Sequence, residues 1–328
     1  MNSLIKRIGV LTSGGDAPGM NAAVRAVVRS ASYFNVECIA IYQGYQGLID
    51  NKTKVMNARS VNNIINKGGT VLKSARCLEF RTKEGRKQAF ETIQKNEIEG
   101  LVVIGGDGSF TGAMIFQSEF NIPVIGIPGT IDNDIYGTTH TIGYDTALNT
   151  VIDAIDKIRD TAISHNRLFL VEVMGRDAGH IALNAGIGAG AEEVLIPEEN
   201  LGLERLLESL QRSKKSGKSS SIVVIAEGDK SGKNVFQIAE HIEKNLPYYE
   251  VRVSVLGHIQ RGGSPSCFDR VLASRMGVFA VESLLNGSSN VMVGLDNGEM
   301  ILTPLEKAIK TKSEINKNLI RVSDILSV

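Results

Sequence analysis

The segment LVVIGGDGSFTGAMIFQSEFNIPVIGIPGTIDNDI, residues 101–135, decides the fold. Two short uncharged runs rich in Val and Ile, LVVI and PVIGI, flank a helical stretch, and each run leads into a loop that carries aspartates. Such runs are typical of strands that are covered on both faces in a parallel sheet. The segment therefore predicts a strand–helix–strand unit with a right-handed crossover.

The same alternation of short apolar runs and helical stretches continues along the chain. Before the segment it comprises IGVL, NAAVRAVVRSASYF and ECIAIY, and after it a long helix is predicted at TALNTVIDAIDKIRDTAISH. The pattern then restarts with RLFLVEVM, VLIP and SIVVIAEG. We predict an α/β protein with a doubly wound, mainly parallel sheet and a second, smaller α/β lobe. From the pattern alone, VRVSVLG and ASRMGVFAVESLL fit either lobe.

Composition indicates a soluble globular protein of the cytosol. Thirty-six basic and 36 acidic residues cancel, so nothing global favours nucleic acid or an anionic membrane. The three cysteines, Cys38, Cys77 and Cys267, lack ligand spacing and are expected to be reduced thiols. The first apolar run continues into a glycine turn, which predicts a strand rather than a signal peptide.

Three loops that follow predicted strands are the candidate ligand site, because ligands of open parallel sheets bind beyond the carboxyl ends of the strands. The loops are TSGGDAPG (12–19), GGDGS (105–109) and PGTIDNDI (128–135). Adjacent glycines let N–H groups converge on an anion such as phosphate, and the helix that follows adds a positive dipole end. Asp107 beside a bound phosphate suits a magnesium ion. The structural alternative is a set of tight turns, which three such loops together make the weaker interpretation.

Two near-matches to nucleotide motifs fail. GDGSFTG has Thr111 where a dinucleotide fingerprint needs its third glycine. RSKKSGKSS has Arg212 in the first-glycine position of a P-loop and lies before a strand. The sequence therefore predicts neither a nicotinamide-binding protein nor a Walker-type ATPase.

Basic residues complete the set of candidate site residues. His258 and Arg261 lie three residues apart between a predicted strand and a glycine pair, so both can reach one anion. Further candidates are Arg76, Arg81, Arg167, Arg176 and Arg252. Phosphate-binding loops, carboxylates and arginines are the parts that phosphoryl transfer needs. The surplus of arginines predicts an acceptor that already carries a phosphate.

Five strings resemble the motifs of the bacterial ATP-dependent 6-phosphofructokinases, the type A phosphofructokinase family: GVLTSGGDAPGMNAAVR, VVIGGDGS, PGTIDNDI, VEVMGR and VLGHIQRGGSP. The resemblance runs in order from about Ile8 to about Leu285. It implies two doubly wound Rossmann-like lobes with the active site in the cleft between them. The larger, ATP-binding lobe would comprise residues 1–141 and 256–306, and the smaller, sugar-phosphate-binding lobe residues 142–255 and 307–328.

The resemblance also implies a reaction, transfer of the γ-phosphoryl of ATP to the 1-hydroxyl of fructose 6-phosphate. Asp132 would be the general base, with Arg76, Thr130, Asp134 and Gly15 as further catalytic residues. The implied ATP-binding residues are Gly15, Tyr45, Arg76, Cys77, Gly106, Asp107, Gly108 and Ser109, with Asp107 on Mg²⁺. The implied substrate-binding residues are Thr130, Ile131, Asp132, Arg167, Met174, Gly175, Arg176, Glu227, Arg252, His258 and Arg261. Arg167 and Arg252 would reach the phosphate of a neighbouring subunit, which implies a homotetramer.

A regulatory site for ADP or phosphoenolpyruvate is implied in altered form. Its matching residues are Arg25, Arg29, Arg159, Gly190, Ala191, Glu192 and Lys218. Ala58 stands where the family usually has arginine, and the loop SGKSSS keeps a single lysine. Each lost charge-assisted bond weakens anion binding by about 1–3 kcal/mol. We therefore expect weak inhibition by phosphoenolpyruvate or a different effector.

Two alternatives to an ATP-dependent enzyme are a pyrophosphate-dependent phosphofructokinase and a noncatalytic metabolite-sensing paralogue. Pyrophosphate-using relatives typically carry an aspartate and a lysine at the positions of Gly108 and Gly129, where glycine leaves room for a nucleotide. The noncatalytic alternative predicts the loss of Asp132, Asp107 or Arg76, and all three are present. We expect ATP as the donor.

Overall fold

A computed structural model describes residues 5–165, 167–199, 202–217 and 221–327. The strands in these ranges are β1 (Arg7–Thr12), β2 (Glu37–Ile41), β3 (Thr53–Met56), β4 (Gly100–Gly105), β5 (Val124–Pro128), β6 (Leu168–Val173), β7 (Glu193–Leu195), β8 (Ser221–Ala226), β9 (Val251–Val255), β10 (Val291–Asp296) and β11 (Glu299–Pro304). The α-helices are α1 (Met20–Tyr33), α2 (Gly44–Ile49), α3 (Lys83–Lys95), α4 (Asp107–Phe120), α5 (Tyr144–His165), α6 (His180–Gly188), α7 (Gly202–Lys215), α8 (Val235–Asn245), α9 (Cys267–Leu285), α10 (Leu305–Lys310) and α11 (Lys317–Leu326).

The chain divides into two units. Unit 1 comprises Met1–Ile131, Ile135–Thr146 and Arg261–Ser313. Unit 2 comprises Asp132–Asp134, Ala147–Gln260 and Glu314–Val328. Each unit alternates strands with helices, which confirms the predicted α/β class with two lobes. The lobe boundaries that the resemblance implies stay a prediction.

Unit 1 is built on a seven-stranded sheet of the order β11-β10-β5-β4-β1-β2-β3. Its pairs are parallel except at the edges, where β3 and β11 run antiparallel to their neighbours. The central strands are buried along their whole length, because helices cover them, and this explains their uncharged sequences. After β2 and β3 the chain returns to the other side of β1, so the strand order reverses between β1 and β4. Such a switch point is where open α/β sheets bind ligands.

Unit 2 has a four-stranded, fully parallel sheet of the order β7-β8-β6-β9. One core cluster joins its strands to α7 and α8 through side chains such as Leu170, Leu206 and Ile238. The stretch VRVSV, which the pattern left open, is β9 of this sheet, whereas ASRMGVFAVESLL lies in α9 of unit 1. The elements that the sequence pattern did not predict are β3, β10, β11, α2, α3, α10 and α11.

No helix among the described residues is both long and apolar enough to cross a membrane.

A charge pair stabilises the packing of α3 on α4 in unit 1. Arg86, only 8% exposed, donates two hydrogen bonds to the carboxylate of Glu119, at 2.6 and 2.7 Å. It also donates to the carbonyl oxygens of Phe80 and Arg81. The hydrogen bond from Arg86 is the main reason why the pKa of Glu119 lies below its ordinary value. A carboxyl whose pKa is lowered by folding stabilises the protein above its unfolded-state pKa, and this contribution is lost as the pH falls through the folded-state value.

We predict that Glu119→Gln lowers the free energy of unfolding at pH 7 by about 2 kcal/mol, because the amide offers Arg86 one acceptor oxygen where the carboxylate offers two, and it carries no charge. Urea titrations of the wild type and the variant measure this difference. The difference in the free energy of unfolding between the wild type and the variant should narrow as the pH falls below about 4, because the carboxyl of Glu119 in the wild type then takes up a proton. A gap that stays constant across this range would contradict the assigned role of the ion pair.

Candidate functional site

Two glycine loops meet at the switch point of unit 1. Thr12 and Ile104 are partners at the ends of β1 and β4, and Ser13 N donates to Ile104 O at 2.9 Å. A Cβ on Gly105 would lie 2.5 Å from Ser13 O, so only glycine permits this approach. Gly14 has a φ of 86°, and a Cβ there would lie 3.4 Å from Ser109 Oγ. The loops predicted to bind phosphate are therefore neighbours.

The second glycine loop is also the start of α4. Gly106 is the N-cap and provides no side-chain hydrogen bond, and a helix start of this kind, with its backbone N–H groups and positive dipole end, suits an anion. Asp107 and Gly108 in this turn are exposed, and Ser109 is buried. A Cβ added to Gly108 would meet no atom within 4 Å. The position is open, as the argument for a nucleotide requires.

A magnesium ion fits this part of the site. No cluster of three His, Cys, Asp or Glu side chains that could hold a metal occurs in the described ranges. Mg²⁺ in phosphate-transfer sites is held by one or two carboxylates together with phosphate oxygens and waters. The exposed carboxylate of Asp107, in the same turn as the anion-binding N–H groups, supplies such a ligand.

Arg261 lies against the first glycine loop. Its Nη1 atom is 2.6 Å from the position that a Cβ on Gly15 would take. Any larger residue at position 15 would displace the guanidinium. The predicted anion-binding residues Gly15 and Arg261 are therefore brought together within unit 1, where a cation complements the anion-binding loop.

Tyr45 stabilises the backbone of the second glycine loop. Its ring is buried and stacks on Phe80 at 4.0 Å, and its hydroxyl donates to Ser109 O at 2.5 Å. Burial raises the pKa of Tyr45 far above its ordinary value. Cys77 is half-buried and packs against the core cluster that contains Tyr45 and Phe80. Burial raises the pKa of its thiol. Arg76, the preceding residue, is exposed. Direct contacts of these residues with a nucleotide stay predictions.

Gly129, directly after β5, has a different role from the one expected. A Cβ there would approach Met20 Cε at 3.1 Å and Ile104 Cγ2 at 3.2 Å. Glycine at this position therefore accommodates close packing of the core and does not leave space for a ligand. Thr130, the next residue, accepts a hydrogen bond from Thr141 Oγ1 on its carbonyl oxygen at 2.6 Å.

Thr130 and Ile131 end the part of the PGTIDNDI loop that belongs to unit 1. The Cβ of Thr130 lies 3.9 Å from the position that a Cβ on Gly106 would take. Thr130 thus stands beside the second glycine loop, and Ile131 is buried.

Asp132, the predicted base, belongs to unit 2 and is 4% exposed. Its Oδ2 lies 3.6 Å from Nε of Arg176. Arg176 has a φ of 53°, a left-handed conformation that is costly for a non-glycine residue. Glu227 holds this backbone by accepting hydrogen bonds from Gly175 N and Arg176 N, at 3.2 and 2.8 Å. Asp132, Gly175, Arg176 and Glu227 are therefore brought together. Asp134 lies half-buried two residues later.

A buried glutamine, which the sequence analysis missed, links two more predicted segments. Gln260 is 0% exposed; its Oε1 accepts from Met174 N at 3.2 Å and its Nε2 donates to Gly257 O at 3.0 Å. His258, in the turn between Gly257 and Gln260, is exposed. A glutamine between two candidate binding residues in HIQR was the available signal.

Glu250 brings together the two arginines that were predicted to serve a neighbouring subunit. Its Oε1 accepts from Arg167 Nη2 at 3.1 Å and from Arg252 Nη2. The hydrogen bond from Arg167 is the first cause of the lowered pKa of Glu250. Sequence reasoning missed Glu250 because an exposed glutamate has no distinctive pattern.

The predicted effector residues fall into separate parts of the chain. Arg25 and Arg29 lie one turn apart on α1 in unit 1. In unit 2, Arg159 Nη2 donates to Ala189 O and Gly190 O, and the buried Glu192 accepts from Ile222 N. Ala191 is buried between them in sequence. Lys218 lies outside the described residues.

Relatives of the chain are known over its whole length. It is 52% identical to ATP-dependent 6-phosphofructokinase 2 of Bacteroides thetaiotaomicron over 324 residues, covering 99% of both chains. It is 54% identical to ATP-dependent 6-phosphofructokinase 1 of Thermus thermophilus over 327 residues, with 99% of this chain and 100% of the relative covered. It is 55% identical to the ATP-dependent 6-phosphofructokinase of Bacillus pumilus over 324 residues, with the same coverage.

Solved structures have the same fold. The phosphofructokinase of Saccharomyces cerevisiae superposes with a TM-score of 0.87 at 36% identity, over 98% of this chain and 46% of the yeast chain. A pyrophosphate-dependent phosphofructokinase from Marinobacter aquaeolei gives a TM-score of 0.83 at 22% identity, over 96% of this chain and 86% of that chain, which shows a shared fold. The profile of the family described as Phosphofructokinase matches residues 7–284. With this match and the full-length relatives, the chain belongs to the phosphofructokinase family.

Proposed function

We propose that this protein is a glycolytic kinase that transfers the γ-phosphoryl group of ATP to the 1-hydroxyl of fructose 6-phosphate. The observation that carries the proposal is the contact between two glycine loops at the switch point of unit 1. Relatives that are more than half identical over their full length are named as ATP-dependent enzymes of this type. ATP is favoured over pyrophosphate by these names and by the open position at Gly108.

Unit 1 supplies the groups that would hold the donor. The N–H groups at the start of α4 and the loop at Gly15 would receive the phosphates of ATP. Asp107 would hold Mg²⁺, which when bound neutralises charge on the phosphates. The guanidinium of Arg76 would stabilise the transferring phosphoryl group, where negative charge must be met most strongly in the transition state.

The acceptor would be activated by Asp132 of unit 2. The carboxylate of Asp132 would take the proton of the 1-hydroxyl as that oxygen attacks the γ-phosphorus, the bond from this phosphorus to the β–γ bridging oxygen breaks and ADP leaves; Arg176 would orient the carboxylate. Met174, Arg176, Glu227, His258 and Arg261 are the proposed ligands of the sugar phosphate. We further propose a cytoplasmic homotetramer in which Arg167 and Arg252 bind the sugar phosphate of a neighbouring subunit.

The effector response should be weak toward phosphoenolpyruvate, because Ala58 replaces a cation. Typical couplings between sites are about 1–3 kcal/mol, the same size as one lost charge-assisted bond. We expect phosphoenolpyruvate to raise the half-saturating concentration of fructose 6-phosphate less than about tenfold, the equivalent of 1.4 kcal/mol. In the variant Ala58→Arg, phosphoenolpyruvate should raise this half-saturating concentration more than it does in the wild type. Steep sigmoidal inhibition of the wild type in the same titration would contradict the expectation.

Asp132→Asn should lower kcat by about 10²–10⁴, the usual range for loss of a general base. Binding of fructose 6-phosphate, measured by calorimetry, should survive because the amide nearly preserves the shape of the carboxylate. Steady-state kinetics with ATP measures the loss. A near-normal kcat in the variant would rule out Asp132 as the base.

Gly108→Asp tests whether the open space at α4 receives the donor. The Cβ of the new side chain meets no protein atom within 4 Å, so we expect the melting temperature to stay within about 2 °C of the wild type. The carboxylate would repel the phosphates of ATP, and we expect the KM for ATP to rise at least about tenfold. Gly108→Ala is the matched control for shape without charge and should change this KM far less. An unchanged KM in Gly108→Asp would place the nucleotide elsewhere.

A further inference from the structure

Arg76 lies near the end of a long connection. Between β3 and a short 3-10 helix at Glu79–Arg81, residues 57–78 are described as turns and irregular backbone without a strand or helix. A connection of this length inside an α/β unit is uncommon and is often functional. Because Arg76 itself is exposed, its position depends on what holds the backbone before it.

One buried side chain holds that backbone. Asn21, in the first turn of α1, is 1% exposed. Its Nδ2 donates to Lys67 O at 2.9 Å and to Gly68 O at 3.1 Å, and its Oδ1 accepts from Val71 N at 2.7 Å. Both donors of the amide and its acceptor are thus used by the same short stretch of backbone. Aspartate or leucine, which have similar volumes, cannot make this set of bonds.

Further contacts fasten the same stretch at both ends. Ser264 Oγ donates to Asn66 O at 2.9 Å, and a Cβ on Gly68 would lie 2.3 Å from Gly263 O. Thr12 Oγ1 donates to Lys73 O at 3.0 Å. Thr12 ends β1 and directly precedes the first glycine loop. Residues 66–73, which we call the anchored segment, are therefore joined to the element that carries the candidate phosphate loop.

The end of the anchored segment is strained. Lys73, three residues before Arg76, has a φ of 60°. A left-handed backbone costs a lysine about 1–2 kcal/mol, and such conformations persist where the surroundings fix them. The anchors therefore hold the segment in a backbone conformation that a free loop would leave.

We propose that Asn21 is a positioning residue, which fixes the anchored segment against α1 and so sets the position of Arg76 relative to the glycine loop that begins at Ser13. The inference rests on the proposed function, because it takes the charge of Arg76 to act on a transferring phosphoryl group. Asn21 touches no substrate in this scheme. Its effect on the rate passes through Arg76.

A double-mutant cycle tests this dependence. We expect Asn21→Ala to lower kcat about 10- to 100-fold and Arg76→Ser to lower it by at least about 100-fold. The double variant should match Arg76→Ser alone within about threefold, because the loss of positioning has no further effect once the arginine side chain is absent. Losses that multiply in the double variant, or a kcat of Asn21→Ala within twofold of the wild type, would overturn the proposal. An inactive wild type would instead refute the proposed function.

Asn96→Ala is the matched control. Asn96 Nδ2 donates to Asn51 Oδ1 and Thr92 O, at 2.9 and 2.8 Å, in a turn without predicted site residues. Its removal should lower the melting temperature much as Asn21→Ala does, yet leave kcat within about twofold below that temperature. In the double variant of Asn96→Ala and Arg76→Ser, the loss in kcat should equal the product of the losses in the two single variants.

Limited trypsin digestion provides a measurement independent of activity. Peptide mapping should show cleavage after Lys67, Lys73 and Arg76 at least about tenfold faster in Asn21→Ala than in the wild type, because the segment opens locally. Cleavage after Lys230 and Lys233 in unit 2 should stay unchanged. If Asn21→Ala is cut everywhere, Asn21→Ser, which keeps a small polar group, serves in its place. Unchanged cleavage of the anchored segment in a folded variant would overturn the proposal.

Discussion

The parallel pairing of β1 with β4 is the constraint on which the candidate site depends. These strands are neighbours in the sheet although β2 and β3 come between them in the chain, so the strand order reverses there. Because Thr12 and Ile104 are partners in register, the two strands end level with each other. The loops that follow must then share one small space, which Gly105 permits by leaving Ser13 O and Ser109 Oγ room to approach.

Polar side chains also fix the backbone of loops within each unit. A loop cannot bury its backbone unless each N–H and C=O group finds a partner. Asn21 provides these partners in unit 1, and Glu227 and Gln260 provide them in unit 2. Polar side chains also hold residues in left-handed conformations: Glu227 holds Arg176 in unit 2, and Thr12 holds Lys73 in unit 1. The hydrogen bonds that supply partners for the backbone thus occur beside residues with strained, left-handed conformations.

Sequence reasoning predicted the parts of the fold that have a strong local pattern. Uncharged runs such as LVVI and SIVVIA indicate strands buried on both faces, and the structure places them in β4 and β8. The edge strands β3 and β11 were not predicted, because the hydrophobic pattern of a half-exposed strand differs little from that of the residues around it. Gly129 was misinterpreted because a glycine looks the same in sequence whether it faces a ligand or, as here, Met20 and Ile104. Asn21 bonds backbone that lies 46 or more residues away, and Glu250 contacts Arg167, which lies 83 residues away; no local pattern reports such contacts.

The last of these contacts bears on how the arginines of unit 2 select an anion. Glu250 already pairs with both Arg167 and Arg252, and Arg176 faces Asp132. A phosphate that binds these guanidinium groups replaces an existing carboxylate partner and does not meet bare charges. The binding free energy of the phosphate is then the energy of its own ion pair minus that of the carboxylate pair it replaces. This difference is small for a weakly charged anion and larger for a dianionic phosphate with three acceptor oxygens. In the proposed function, this internal pairing would favour phosphate esters over simple carboxylates as ligands of these arginines.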